Sequence, residues 1–262
     1  MPDLSIIIVS HNKPRFVKEA VQSVLDQTHR DWEATVMDSG VLFNQGFFSY
    51  LNDPRLKVLA SGETPELARG KNMASWCFNR WLNSGEVHGE LIMYLCDDDL
   101  LYPEAFATYW DFYIQNDRAP QAMYASQDIG LVDPEGKTRI IGRRIADRPG
   151  GRFCRGRRLD CKVDYLQFCH TAKILEKFRE IYKTTQYHSE AKSDAHHSDG
   201  IFIEQIGALT KVYNIDKVLS MNRRTEESVN LEYSASPLGR LLITIRRKFS
   251  GAWERLFSAR RY

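Results

Sequence analysis

No stretch of this 262-residue chain approaches the roughly 20 consecutive apolar residues that a membrane span requires. The first apolar stretch, Leu4 to Val9, has only the length of a strand, and no basic region or cleavage site frames it as a leader. A cytoplasmic protein is therefore expected, soluble or at most peripheral to the inner face of the cell membrane. The five cysteines, at 77, 96, 154, 161 and 169, form no CxxC pair and no even disulfide framework, so a reducing compartment is the simplest inference. Glycine is missing from the turn after that first stretch, Ser10-His11-Asn12-Lys13, and neither a P-loop nor a dinucleotide fingerprint occurs. Internal repeats and low-complexity tracts are absent as well.

What the chain has is an alternation of strand and helix patterns over its first 100 residues, with 43% hydrophobic content to build a core. Ser5-Ile6-Ile7-Ile8-Val9 is β-branched and nearly all apolar, as expected of a strand covered on both faces by helices. Pro14 suits a first helical position, and Phe16, Val17, Ala20, Val21, Val24 and Leu25 recur at helical spacing. Trp32 to Met37 and Leu56 to Leu59 read as further strands, Met73 to Leu82 as a helix, and Leu91 to Leu95 as the next strand. The fold class expected is α/β: a Rossmann-like, mostly parallel central sheet with helices on both faces.

The second half is less regular. Ala122 to Ser126 and Ile129 to Val132 suggest strands, the latter leading into the turn Asp133-Pro134-Glu135-Gly136. Between Lys137 and Lys162 lie ten Lys or Arg residues against two acids, which reads as a mobile basic loop suited to anionic phosphates or an anionic acceptor, or as ordinary solvated charge. Phe153 is the one aromatic there, too few to stack bases, so nucleic acid is not an expected partner. Ala172 to Tyr182 is helical by pattern, Thr184 to Ser198 reads as a loop, and a helix follows Asp199-Gly200. From Leu238 onward an apolar face runs beside seven arginines and lysines, which suits either an interfacial membrane helix or a helix packed on the domain or on a second subunit. The expected organisation is one domain over 1–222, with halves at 1–105 and 106–222, and a C-terminal extension over 223–262.

Three consecutive carboxylates, Asp97, Asp98 and Asp99, end the run Leu91 to Leu95. Like charges stay together at a strand end when a cation, a helix N-terminus or water compensates them, so the cluster points to a metal and phosphate site. The bland alternative is a solvated turn in which Asp99 caps the next helix. Asp38 also falls at a strand's carboxyl end, the edge at which open α/β sheets bind ligands. His188, His196 and His197 lie near Asp199, but adjacent loop histidines are mostly solvated and zinc is not expected. His170 reads as a core or hydrogen-bonding residue.

The segments Ser5–Lys13, Ala20–Thr28, Asp31–Glu33, Met37–Gly40 and Leu95–Pro103, in that order and spacing, resemble the opening of family 2 glycosyltransferases, including those that build bacterial spore-coat polysaccharide. A weaker likeness continues through Val163-Asp164, His170, Ile174–Lys177 and Ser198-Asp199-Gly200. The resemblance implies a GT-A fold and a nucleoside-diphosphate sugar donor, UDP- or dTDP-linked first. It also implies Mn²⁺ or Mg²⁺ and a glycan or lipid-linked acceptor. Carried onto this chain, it places Val9, His11, Asp38 and Ser39 around the nucleoside, Asp97 near the ribose, Asp98 and Asp99 at the metal, and Lys71 or Arg69 at the diphosphate. Asp199 becomes the general base of an inverting transfer, with Asp164 in reserve and helix capping as the alternative role for Asp199.

Two positions depart from the family pattern. Cys96 stands where the first Asp of the Asp-x-Asp motif belongs, and Ser39 replaces a carboxylate that would meet a base N–H. These keep a non-catalytic nucleotide-sugar-binding module in view. A sugar nucleotidyltransferase is the other alternative, disfavoured by the turn without glycine.

Overall fold

A computed structural model describes residues 1–62, 70–133, 135–145, 163–194 and 198–225. The strands are β1 (Leu4–Ser10), β2 (Trp32–Asp38), β3 (Leu56–Ala60), β4 (Leu91–Cys96), β5 (Leu100–Leu101), β6 (Ala122–Val132), β7 (Thr138–Arg144), β8 (Phe168–Thr171) and β9 (Val212–Arg224). The helices are α1 (Pro14–Leu25), α2 (Met73–Leu82), α3 (Ala105–Gln115), α4 (Ala172–Tyr182) and α5 (Ser198–Leu209). Among the described residues no helix is long and apolar enough to cross a membrane.

All nine strands join one sheet in the order β3-β2-β1-β4-β8-β6-β9-β5, with β7 paired to β6 beside that path. The pairs β2–β3, β1–β2 and β1–β4 are parallel, and β4–β8, β6–β8 and β5–β9 are antiparallel. The parallel part is the piece legible as apolar runs: all seven residues of β1 are buried, which only a strand covered on both faces allows. Its side chains split with period two. Leu4, Ile6 and Ile8 join Val17, Ala20, Val21 and Val24 of α1 and Phe106 of α3 in one cluster. Ile7 and Val9 join Cys77, Phe78 and Trp81 of α2 and Phe202 of α5 in the other. Each such aliphatic side chain contributes about 1.5–3 kcal/mol by leaving water, so the two clusters clamp the sheet between helices. Trp81 Nε1 donates to Thr35 Oγ1 at 3.1 Å and ties α2 to β2 without leaving the indole N–H unsatisfied.

The described residues fall into two units, one within Met1–Gly130 and Ile140–Arg223 and a smaller one that includes Leu131–Arg139. In the second, the Asp133–Lys137 turn forms as expected: Gly136 takes φ 84°, and Asp133 Oδ1 accepts from the Lys137 backbone N–H at 2.7 Å.

Two sequence expectations change. Part of the supposed mobile basic loop is strand β7, where Thr138, Ile140 and Ile141 give a β-branched run. His188, expected to be solvated in its loop, is fully buried, its ring 4.2 Å from that of Phe202 and 5.3 Å from that of Phe78. The rest of the basic loop, Arg69, His196, His197 and the basic C-terminal helix lie outside the described residues.

Candidate active site

The register of the parallel strands assembles the site. Ser10 pairs with Asp38 of β2, and Val9 pairs with both Met37 of β2 and Cys96 of β4, so the carboxyl ends of three adjacent strands stop side by side. Asp38 is 2% exposed and held from two sides: its carboxylate accepts from Ser10 Oγ at 3.0 Å and from the Phe43 backbone N–H at 2.9 Å. Ser39 Oγ donates to the Ser10 carbonyl at 3.1 Å. That uses its only proton, so it accepts from His11 Nδ1 at 3.0 Å and leaves Nε2 of the exposed ring free to accept. Val9 packs into the core with Met37 and Cys77.

The turn after β1 is rigid. Asn12 takes a left-handed φ of 55°, and its Oδ1 accepts from the Val41 backbone N–H at 2.9 Å. A Cβ on Gly40 would lie 2.2 Å from that Asn12 oxygen, so the close approach of the two strand-end loops requires glycine. Pro14 then fixes the first residue of α1. Between these two constraints Lys13 extends its ammonium to Asp98 Oδ2 at 2.8 Å and Asp97 Oδ1 at 3.2 Å. Asp97 Oδ2 accepts from the His11 backbone N–H at 2.8 Å.

The three aspartates therefore part company. Burial pushes the Asp97 carboxyl up to about 6, with Lys13 opposing the rise and Asp98 adding to it. Burial alone would lower the Lys13 ammonium, but Asp98 and Asp97 outweigh it and hold Lys13 above its ordinary value. Asp99 takes other partners, Asn222 Nδ2 at 3.1 Å and the Arg223 backbone N–H at 3.0 Å, and so fastens the Asp cluster to β9. Burial holds its carboxyl well above the usual range. Cys96, half-buried beside the aspartates, is likewise raised far above an ordinary thiol by desolvation and by the neighbouring carboxylates, and remains a neutral S–H.

Asp199 stands in the first turn of α5, its Oδ1 accepting from the Gly200 backbone N–H at 2.8 Å. Burial raises its carboxyl to about 6, and the nearby Asp164 adds to the rise while Arg144 opposes it. Asp164 accepts from Gln127 Nε2 at 2.6 Å and pairs with Arg144, and it acts electrostatically on both Asp99 and Asp199. The Lys71 ammonium pairs with Glu190 at 2.7 Å. Behind it runs a buried polar chain. Glu190 accepts from Asn79 Nδ2 at 3.0 Å, Asn79 brackets the His188 backbone, and His188 Nδ1 meets the Tyr165 hydroxyl at 2.9 Å. Asn72 Nδ2 completes the link by donating to Ser198 Oγ at 3.0 Å, one residue before Asp199. His170 is the buried hydrogen-bonding residue expected, 2.7 Å from the Tyr94 hydroxyl. Sequence reasoning missed Lys13, Glu190, Arg144 and Tyr165. A lysine opposite three acids, just before a helix-initiating proline, was a signal for the first of these.

A parallel half-sheet with acidic residues at its carboxyl edge, extended by an antiparallel half that carries further acids, is the GT-A arrangement of nucleotide-sugar transferases. The chain belongs to glycosyl transferase family 2, whose sequence model matches residues 5–145. Protein CgeD of Bacillus subtilis is 26% identical over 238 residues, 89% of this chain and 53% of CgeD, so the chain spans about half the length of that relative. A structure of S. aureus TarS 1-349 in complex with UDP-GlcNAc superposes with a TM-score of 0.61 at 18% identity, covering 90% of this chain and 62% of that one. The mannosyltransferase PcManGT from Pyrobaculum calidifontis, in complex with GDP-Man and Mn²⁺, superposes at 0.51 with 15% identity, covering 84% of this chain and 56% of that one.

Proposed function

We propose that this domain transfers a sugar from a nucleoside-diphosphate donor to a hydroxyl of a glycan or lipid-linked acceptor, with inversion at the anomeric carbon. The observation that carries this reading is the division of acids at the sheet edge: Asp97 and Asp98 at the end of β4 beside Asp38, and Asp199 on a separate element with a carboxyl near 6. Asp38, Ser39 and His11 would bind the nucleoside and Asp97 the ribose. Asp199 would take the proton of the attacking hydroxyl, for which a base titrating near neutrality is well matched. Asp164 would hold Asp199 in that range by like-charge repulsion, and Lys71 would serve the diphosphate if released from Glu190.

A hard divalent cation, Mn²⁺ or Mg²⁺, fits the Asp98 corner through oxygen donors, and Asp98 is the residue that would hold it. Among the described residues no group of three His, Cys, Asp or Glu side chains is arranged to enclose a metal, so most of the coordination would come from diphosphate and water. When bound, such a cation offsets charge on the departing diphosphate. Asp99, committed to β9, would support the cluster. Support for the donor class comes from TarS and PcManGT, whose structures hold UDP-GlcNAc and GDP-Man, and kinship with spore-coat polysaccharide transferases such as SpsA belongs to the same reading.

The half-buried neutral Cys96 in a motif carboxylate position favours a second reading, a domain that binds nucleotide sugars without turning them over. A panel of UDP-, dTDP-, GDP- and CDP-sugars with Mn²⁺, assayed for released nucleoside diphosphate, separates the two. A transferase releases diphosphate from at least one donor; binding without release would establish the second reading.

A further inference from the structure

We propose that Lys13 is a displaceable counter-ion: its ammonium pairs Asp97 with Asp98 while no divalent cation is there, and turns to the donor's diphosphate when one binds. This rests on the donor-site reading above and adds the residue that regulates entry to that site. The ammonium lies 2.8 Å from Asp98 Oδ2 and 3.2 Å from Asp97 Oδ1, against the carboxylate expected to hold the metal. A cation bound to the same oxygen at about 2.0–2.2 Å would face the ammonium at short range in a poorly solvated corner, so the two compete. The surroundings decide which part moves. Asn12 is pinned to Val41 in a left-handed conformation, and Pro14 opens α1, so the backbone of Lys13 is fixed on both sides. Its four-carbon side chain is free to swing. Among the described residues Lys13 pairs with the acids Asp97 and Asp98, whereas Arg223 and Asn222 engage the remaining aspartate of the cluster. The competition also has a use. An empty site keeps part of its negative charge offset, and one flexible charge becomes available to phosphate oxygens only after the carboxylates find a different partner.

The test uses the full chain with Lys13→Met, which keeps the length and removes the charge, and Lys13→Arg, which keeps the charge. Mn²⁺ is titrated without nucleotide and followed by the electron paramagnetic resonance signal of the free ion. UDP affinity is then measured calorimetrically in saturating Mn²⁺. The expected result is Mn²⁺ binding at least about tenfold tighter in Lys13→Met than in the natural chain, with Lys13→Arg within about threefold of it. UDP binding in saturating Mn²⁺ should weaken in Lys13→Met, and unchanged affinity there would overturn the turn toward the diphosphate. Equal or weaker Mn²⁺ binding by a folded Lys13→Met overturns the proposal. Should that variant melt before the titration, Lys13→Gln takes its place with the same expectation. If the natural chain binds Mn²⁺ together with UDP but Lys13→Met gains nothing, Lys13 is not the competitor and the donor-site reading stands. If no form binds Mn²⁺ even with UDP present, the donor-site reading fails and takes this proposal with it.

Discussion

Two acidic corners, one just after β4 and one at the start of α5, carry carboxyls raised by burial to nearly the same place beside opposite neighbouring charges. At the end of β4, Asp97 is lifted to about 6 by burial although a lysine ammonium stands directly on it. At the start of α5, Asp199 reaches about 6 by burial and by the repulsion of a second carboxylate, Asp164. A corner already paired with an ammonium is prepared to exchange one cation for another. A corner in which another carboxylate adds to the rise is prepared to hold a proton. Burial supplies the shift in both, and the charge across from each carboxylate determines its use.

The strongest way to break this comparison is to neutralise the second corner. Asp199→Asn is expected to lower kcat by about 10²–10⁴ in a steady-state transfer assay, the usual worth of a positioned general base. A variant with unchanged turnover would make Asp199 a helix cap. The pH dependence sharpens the same point. Asp199 must be ionised to accept a proton, so kcat/KM should rise with pH through about 6. Asp164→Asn removes the like charge and should move that rise to lower pH.

Stability carries a further sign. A carboxyl raised in the folded chain above its ordinary 3.8 favours the protonated form on folding. Its effect is harmless below about 4, and the folded state loses stability as pH rises from there to about 6. Asp199→Asn should therefore be more stable than the natural chain at pH 7, by up to about 3 kcal/mol in urea unfolding, and the difference should shrink toward pH 4. A smaller effect is expected at the turn that aims Lys13. Gly40→Ala pushes a methyl to 2.2 Å from Asn12 Oδ1 and should cost about 1–3 kcal/mol, read from the urea midpoint.

The legibility of the molecule follows the same division. The strands β1, β2 and β4 are almost wholly buried and show in the sequence as largely apolar runs, so the parallel half and the positions of Asp38 and Asp97–Asp99 could be placed from residues alone. The antiparallel half could not. β8 has only four residues, and β9 interrupts its buried positions with Asp216 and Lys217 and ends in Asn222, Arg223 and Arg224, so its period is masked by polar residues. The roles within the Asp triplet were hidden for a related reason. Asp99 is claimed by Asn222 and Arg223, more than 120 positions away in sequence, and no local pattern carries that information. His188 was misjudged because its burial depends on Phe78, Tyr165 and Phe202 converging from three separate segments.

The division of labour between the corners is tested most directly by measuring UDP and GDP affinity in Mn²⁺ for Asp98→Asn and Asp199→Asn side by side with the natural chain. The account expects the nucleotide bound by the natural chain to weaken at least about tenfold in Asp98→Asn and to stay within about threefold in Asp199→Asn. Equal losses in both variants, or none in Asp98→Asn, would contradict it.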